Sequence, residues 1–90
     1  MISVTHLQMA GGESLGHVAR LRWYDSERDA TTDGSVEQVI EWLREDPTNE
    51  LYLRQARGPI AVRVAESDAP HLQAYLDDEP NDALLYLPRF

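Results

Sequence analysis

SVEQVIEWLREDP, Ser35 to Pro47, decides the fold class, because here the apolar period is helical while the runs on either side alternate. Ser35 and Gln38 have the S-x-x-Q spacing of a capping box, in which the hydroxyl accepts from the third helical amide and the glutamine reaches back to the cap. Val36, Val39, Ile40 and Leu43 then recur at i, i+3, i+4 and i+7, which places them on one side. Pro47 disfavours helical geometry at Asp46 and ends the element. Glu37, Glu41 and Glu45 form a solvated ridge opposite the apolar stripe. Trp42 falls at the stripe's edge, as a lid on the core or as an exposed contact.

Outward from the helix, the pattern changes to a period of two. ELYLRQ (50–55) and IAVRVAES (60–67) read as a hairpin turning at Gly58 and Pro59 within ARGP, with Val62 and Val64 facing in and Ala61 and Arg63 facing out. HLQAYL (71–76) is a further strand, and DDEPND (77–82) a turn. On the N-terminal side, ISVTHLQM (2–9) and HVARLRWY (17–24) form a second hairpin across the glycine-rich AGGESLG. Ala19, Leu21 and Trp23 are expected on one face of its second strand, and Val18, Arg20 and Arg22 on the other. Asp25 to Gly34 is polar, lacks an apolar period and reads as a mobile loop. The order ββαβββ predicts an α+β domain: an antiparallel sheet of about five strands with one amphipathic helix on one face.

One helix is too little to cover such a sheet, so the tail NDALLYLPRF (81–90) is expected to close it with Leu84, Leu85, Leu87 and Phe90. The competing reading is an apolar peptide offered to a partner. It makes Trp42, Tyr86 and Phe90 candidate interface residues, with a homodimer through them or through a sheet edge.

Ninety residues allow one domain, residues 1–90. The chain has no cysteine, which removes disulfides and thiolate metal sites. No leader pattern or bilayer-length apolar run is present, so the expectation is a cytoplasmic protein without membrane contact. Sixteen acidic residues face eight basic ones, net −8, and all eight are arginine. Such lysine-free acidity follows from GC-rich coding or salt adaptation. Alternatively, the carboxylates imitate nucleic acid, as in an acidic phage-type inhibitor whose glutamate ridge occupies a basic host protein.

Gly12-Glu13-Ser14-Leu15-Gly16 matches G-x-S-x-G, yet a nucleophile elbow needs a strand before it and a helix after it, and here a strand follows. His6, His17 and His71 sit on three different strands without metal-pair spacing. Asp77, Asp78, Glu79 and Asp82 are hard oxygen ligands but lack the EF-hand order and its central glycine. No cofactor is expected. Arg20, Arg22, Tyr52, Arg54 and Arg63 should share the sheet face away from the helix, an arginine and tyrosine surface suited to phosphate or stacked bases. The structural alternative is that their stems cover apolar surface while their heads pair with carboxylates.

Taken together, SVTHLQM, HVARLRW, the Ser35-capped helix, YLRQARG, AVRV, PHLQAYLDD and NDALLYLPRF resemble the Domain of Unknown Function 3892 family of short prokaryotic proteins. Asp82, Leu84, Leu85, Leu87 and Pro88 match that family's D-N-L-L-x-L-P ending, with Ala83 at the asparagine position. The resemblance implies a compact domain from bacteria, archaea or their phages and carries no activity. The expected function is a non-enzymatic binding or interaction module for a protein partner or a second copy. Its alternatives are a nucleic-acid-associated protein using the arginine and tyrosine face, and the acidic inhibitor.

Overall fold

The computed structural model describes residues 1–56 and 58–90. Arg57, part of the expected ARGP turn, lies outside the described residues. The chain runs β1 (Ile2–Met9), a 3-10 turn (Leu15–His17), β2 (Val18–Asp25), β3 (Ala30–Ser35), α1 (Val36–Glu45), β4 (Leu51–Gln55), β5 (Gly58–Ala65), β6 (His71–Leu76), β7 (Glu79–Asn81) and a second 3-10 turn (Ala83–Tyr86). All seven strands form one sheet, in the order β3-β2-β1-β4-β5-β6-β7. No helix among the described residues is long and apolar enough to cross a membrane.

α1 starts where its capping box places it. The Ser35 hydroxyl accepts from the Gln38 amide at 3.2 Å, and the Gln38 side chain accepts from the Ser35 amide at 2.9 Å. At the far end Asp46 turns extended, and its carboxylate accepts from the Thr48 amide and hydroxyl at 2.9 and 2.8 Å. Val39 and Ile40 are buried against Leu21, Leu53, Val62 and Leu72 of the sheet, with Val36 and Leu43 at the margin of the same core.

The α+β class holds, but the sheet is mixed and has seven strands, not five antiparallel ones. β1 and β4 pair in parallel through Ser3 with Tyr52 and Val4 with Leu53. This pairing follows from the helix: β3, α1 and β4 make a crossover that skips two strands, and a helical crossover returns the chain in its original direction.

Two strands arise in segments expected as loops. β3 comes from the Asp25 to Gly34 stretch, where Asp29 adopts a left-handed φ of 49° and closes a loop that lets six consecutive pairs form between β2 and β3. β7 comes from DDEPND. Asp77 and Asp78 have φ of 52° and 65°, the pair of left-handed residues needed by a primed two-residue hairpin turn, and Leu76 then pairs with Glu79. In the β4–β5 hairpin Gln55 pairs with Gly58, so Gly58 and Pro59 open the second strand and do not form the turn.

Two bulges reset the alternation. Thr5 is an extra residue between Val4 and His6, and Ala19 is extra between the Met9–Val18 and Gln8–Arg20 pairs. The second bulge brings Val18 into the core beside Leu21, on the face opposite to the one expected. The first ends the β1–β4 pairing at Val4 and leaves that side of Leu7 open. The tail takes the place: the Leu7 amide donates to the Pro88 carbonyl and the Phe90 amide donates to the Leu7 carbonyl, both at 3.0 Å.

Leu84 is 0% exposed and Leu87 packs at the core margin, so the tail does close the hydrophobic layer. Phe90 does not join that layer. It crosses to the other face of the sheet, where the Arg22 guanidinium lies 4.3 Å from its ring centre and His6 meets it edge-on. Tyr86 is 85% exposed.

Leu84→Ala is expected to cost about 2–5 kcal/mol in chemical denaturation, as for other fully buried leucines. Tyr86→Ala should stay within about 0.5 kcal/mol of the parent. Truncation before Ala83 should abolish the cooperative thermal transition, and its survival would show that the tail is not part of the core.

Candidate functional site

The sheet has two faces with different chemistry. On the face away from α1, strand register aligns Tyr24, Ser3, Tyr52, Ala61 and Tyr75 in one row across five strands, tyrosines alternating with small residues. Arg20, Arg22, Tyr52, Arg54 and Arg63 all lie on this face. Two of its four arginines are committed to carboxylates. Arg22 holds Asp33 in a two-point contact at 2.7 and 3.3 Å and also covers Phe90. Arg63 reaches Asp78 at 3.2 Å and lies over the Tyr75 ring. Arg20 and Arg54 are exposed and have no ion pair among the described residues.

The Arg22 hydrogen bond holds the Asp33 carboxyl below the usual carboxylate range. Asp29 and Glu50 have the opposite effect on the phenols that donate to them: the hydrogen bonds raise Tyr24 and Tyr52 above the ordinary tyrosine value. The row is therefore an aromatic platform with two free guanidinium groups, edged by carboxylates that hold negative charge close to it.

The proposed interface residues do not form one patch. Phe90 is engaged on this outer face, Tyr86 stands in solvent, and Trp42 is half-buried on α1 with its carbonyl bonded to the Asn49 amide group at 2.8 Å. Among the described residues no three His, Asp or Glu side chains are grouped to hold a metal, and Asp77 and Asp78 serve the β6–β7 turn.

Ser14 of the G-x-S-x-G match does meet a histidine, His17 and not His71, at 2.6 Å. The contact is three residues long and exposed, and the His17 ring sits so close over Gly12 that a Cβ there would lie 2.7 Å from it. The pair packs the loop between β1 and β2. No carboxylate hydrogen-bonds the other ring nitrogen among the described residues, so the orienting member of a hydrolytic triad is missing.

On the helix side lies a site the sequence did not announce. α1 packs on both sides of the β1–β4 joint, against β2 and β3 on one and β5 and β6 on the other, and brings Gln38, Val39 and Trp42 beside Ile2 and Asp25. There a cleft of about 480 Å³ opens. Its walls are Trp23 of β2 and Trp42 of α1, over a floor of Ile2, Val4, Leu21 and Leu51. Asp25, Arg28, Thr32 and Gln38 supply a polar rim. Side-chain rows explain the placement: Val4, Trp23 and Thr32 form one, and Ile2, Asp25 and Ala30 the next, at the end of the sheet.

Trp23 is held in place by Gly34, where a Cβ would come within 2.6 Å of the indole. The Asp25 side chain is 16% exposed, accepts from the Glu27 amide at 3.0 Å and lies 3.8 Å from Arg28. A mostly apolar, preformed concavity of this size with a few polar groups has the character of a ligand site, whose usual range is about 300–1,000 Å³.

Comparison of the chain with protein-family models, with curated proteins and with solved structures returned no match in any of the three.

Two outcomes test this geometry. Arg22→Gln should move the Asp33 titration upward toward the ordinary carboxylate value, followed by carboxyl-carbon NMR. Because the folded value is depressed, the Arg22–Asp33 contribution is present above the ordinary carboxylate pKa and is lost as pH falls through the folded one, so the variant should lose less stability on acidification. Gly34→Ala should lower the melting temperature and alter Trp23 fluorescence, since the indole has to move.

Proposed function

We propose that the protein is a small non-enzymatic binding module whose ligand occupies the cleft between Trp23 and Trp42. The observation that carries this reading is the cleft itself: two indoles, Trp23 and Trp42, line one concavity together with the aliphatic Ile2, Val4, Leu21 and Leu51. The commitment of the rim supports binding over chemistry. Asp25 accepts from the Glu27 amide with Arg28 nearby, and Gln38 is engaged with the Ser35 cap, which among the described residues leaves orienting groups but no poised nucleophile and base in the cleft.

The test uses 2-phenylethanol as probe, followed through the indole N–H signals of Trp23 and Trp42. Both should shift saturably, and Thr32→Trp, which fills the cleft from an exposed strand position, should abolish the response while preserving the thermal transition. Absence of a saturable shift in the parent protein would overturn the assignment.

A second reading is favoured by the outer face. Its tyrosine row and the exposed Arg20 and Arg54 provide stacking surfaces and cations for single-stranded nucleic acid. The net charge of −8 opposes it at long range. On this reading labelled oligothymidylate or oligouridylate binds at low salt, weakens steeply with added salt, and fails to bind Arg20→Glu with Arg54→Glu. No binding at low salt would remove it.

A further inference from the structure

We infer that the ligand of the cleft is an extended basic peptide segment that pairs with the free side of β3 and directs alternate side chains toward Trp23 and Trp42. The inference rests on the cleft reading and adds the chemistry of the occupant.

The first argument is backbone accounting. Leu7 gives its amide and carbonyl to the tail, so its antiparallel partner Leu21 turns its own groups toward β3. Alternation along the β2–β3 register then pairs Gly34, Thr32 and Ala30 with β2 and leaves the amides and carbonyls of Thr31 and Asp33 pointing outward. The next amide in that outward series, Ser35, is already bonded to Gln38.

The second argument compares the two edges of the sheet. β7 is three residues long and carries Pro80, features that discourage strand addition. β3 has six residues, pairs with β2 without a bulge, and carries neither proline nor lysine. Ala30 to Asp33 are all exposed.

The third argument is continuity. Ala30 and Thr32 of this edge line the cleft, so a strand added about 4.8 Å beyond β3 would lower every second side chain beside that opening. The residues at this edge are small, which leaves the cleft accessible from the side on which such a strand would lie.

Charge selects between possible occupants. Residues 25–35 carry Asp25, Glu27, Asp29 and Asp33; Arg28 lies beside Asp25 and Arg22 of β2 holds Asp33, which leaves the segment net acidic through Glu27 and Asp29, within a chain of net −8. A second copy would bring like charge against like charge, whereas a basic segment is complementary.

The probe is the acetylated, amidated peptide Arg-Leu-Val-Leu-Arg, compared with the same peptide N-methylated at both leucines. The expected result is saturable binding that shifts the Thr31 and Asp33 amides together with the Trp23 and Trp42 indoles and weakens in molar salt. It should weaken at least about tenfold on N-methylation. Thr31→Pro removes one outward amide without touching the β2–β3 pairs; it should lose the peptide while keeping the 2-phenylethanol response. Equal binding of the two peptides, or unchanged binding by Thr31→Pro, would overturn the edge assignment and leave the cleft reading standing. Failure of 2-phenylethanol as well would remove both. A concentration-dependent dimer in light scattering that shifts the same two amides would overturn the proposal in favour of a second copy.

Discussion

The short parallel joint between β1 and β4 is the constraint on which the rest of the molecule depends. Among the described residues, only the strand pairs Ser3 with Tyr52 and Val4 with Leu53 join the β3-β2-β1 half of the sheet to the β4-β5-β6-β7 half. The Thr5 bulge ends that joint and leaves one side of Leu7 open, and the tail completes the seam there with backbone hydrogen bonds while its Leu84 enters the core. The apolar character of the last ten residues is thereby explained: they supply pairing and packing that β4 does not provide.

How much of this was legible depended on whether the signal was local. The capping box, the apolar stripe of α1 and the β4–β5 strands are readable because each is written within about a dozen consecutive residues. β3 is not, because an edge strand with most of its residues in solvent has no apolar alternation to show, and the left-handed Asp29 that closes its loop is visible only in the structure. The side of Val18 is not legible from alternation, because the single bulged residue Ala19 reverses the phase of the strand at that point. The parallel pairing is a property of the crossover, which no individual strand records.

The same distinction separates the two candidate surfaces. Alternation alone is enough to place Arg22, Tyr52, Arg54 and Arg63 on one face, and the register does so. The Trp23–Trp42 cleft draws its lining from β1, β2, β3, α1 and β4, elements distant in sequence that only folding brings together. Surface pairing also tempers the arginine face, since the Arg22 and Arg63 heads are already occupied by carboxylates, in exposed pairs that add little to stability.

The seam at Leu7 has a mechanical consequence. β1 and the segment around Arg89 run in the same direction, and they belong to opposite ends of the described chain. Tension applied through residues 1 and 90 therefore pulls these two segments past each other lengthwise. The Pro88 and Phe90 hydrogen bonds then bear load together, in shear, instead of opening one after another. Tethered by those ends, the domain behaves as a clamp whose rupture is governed by its rate of unfolding under force and not by its equilibrium stability.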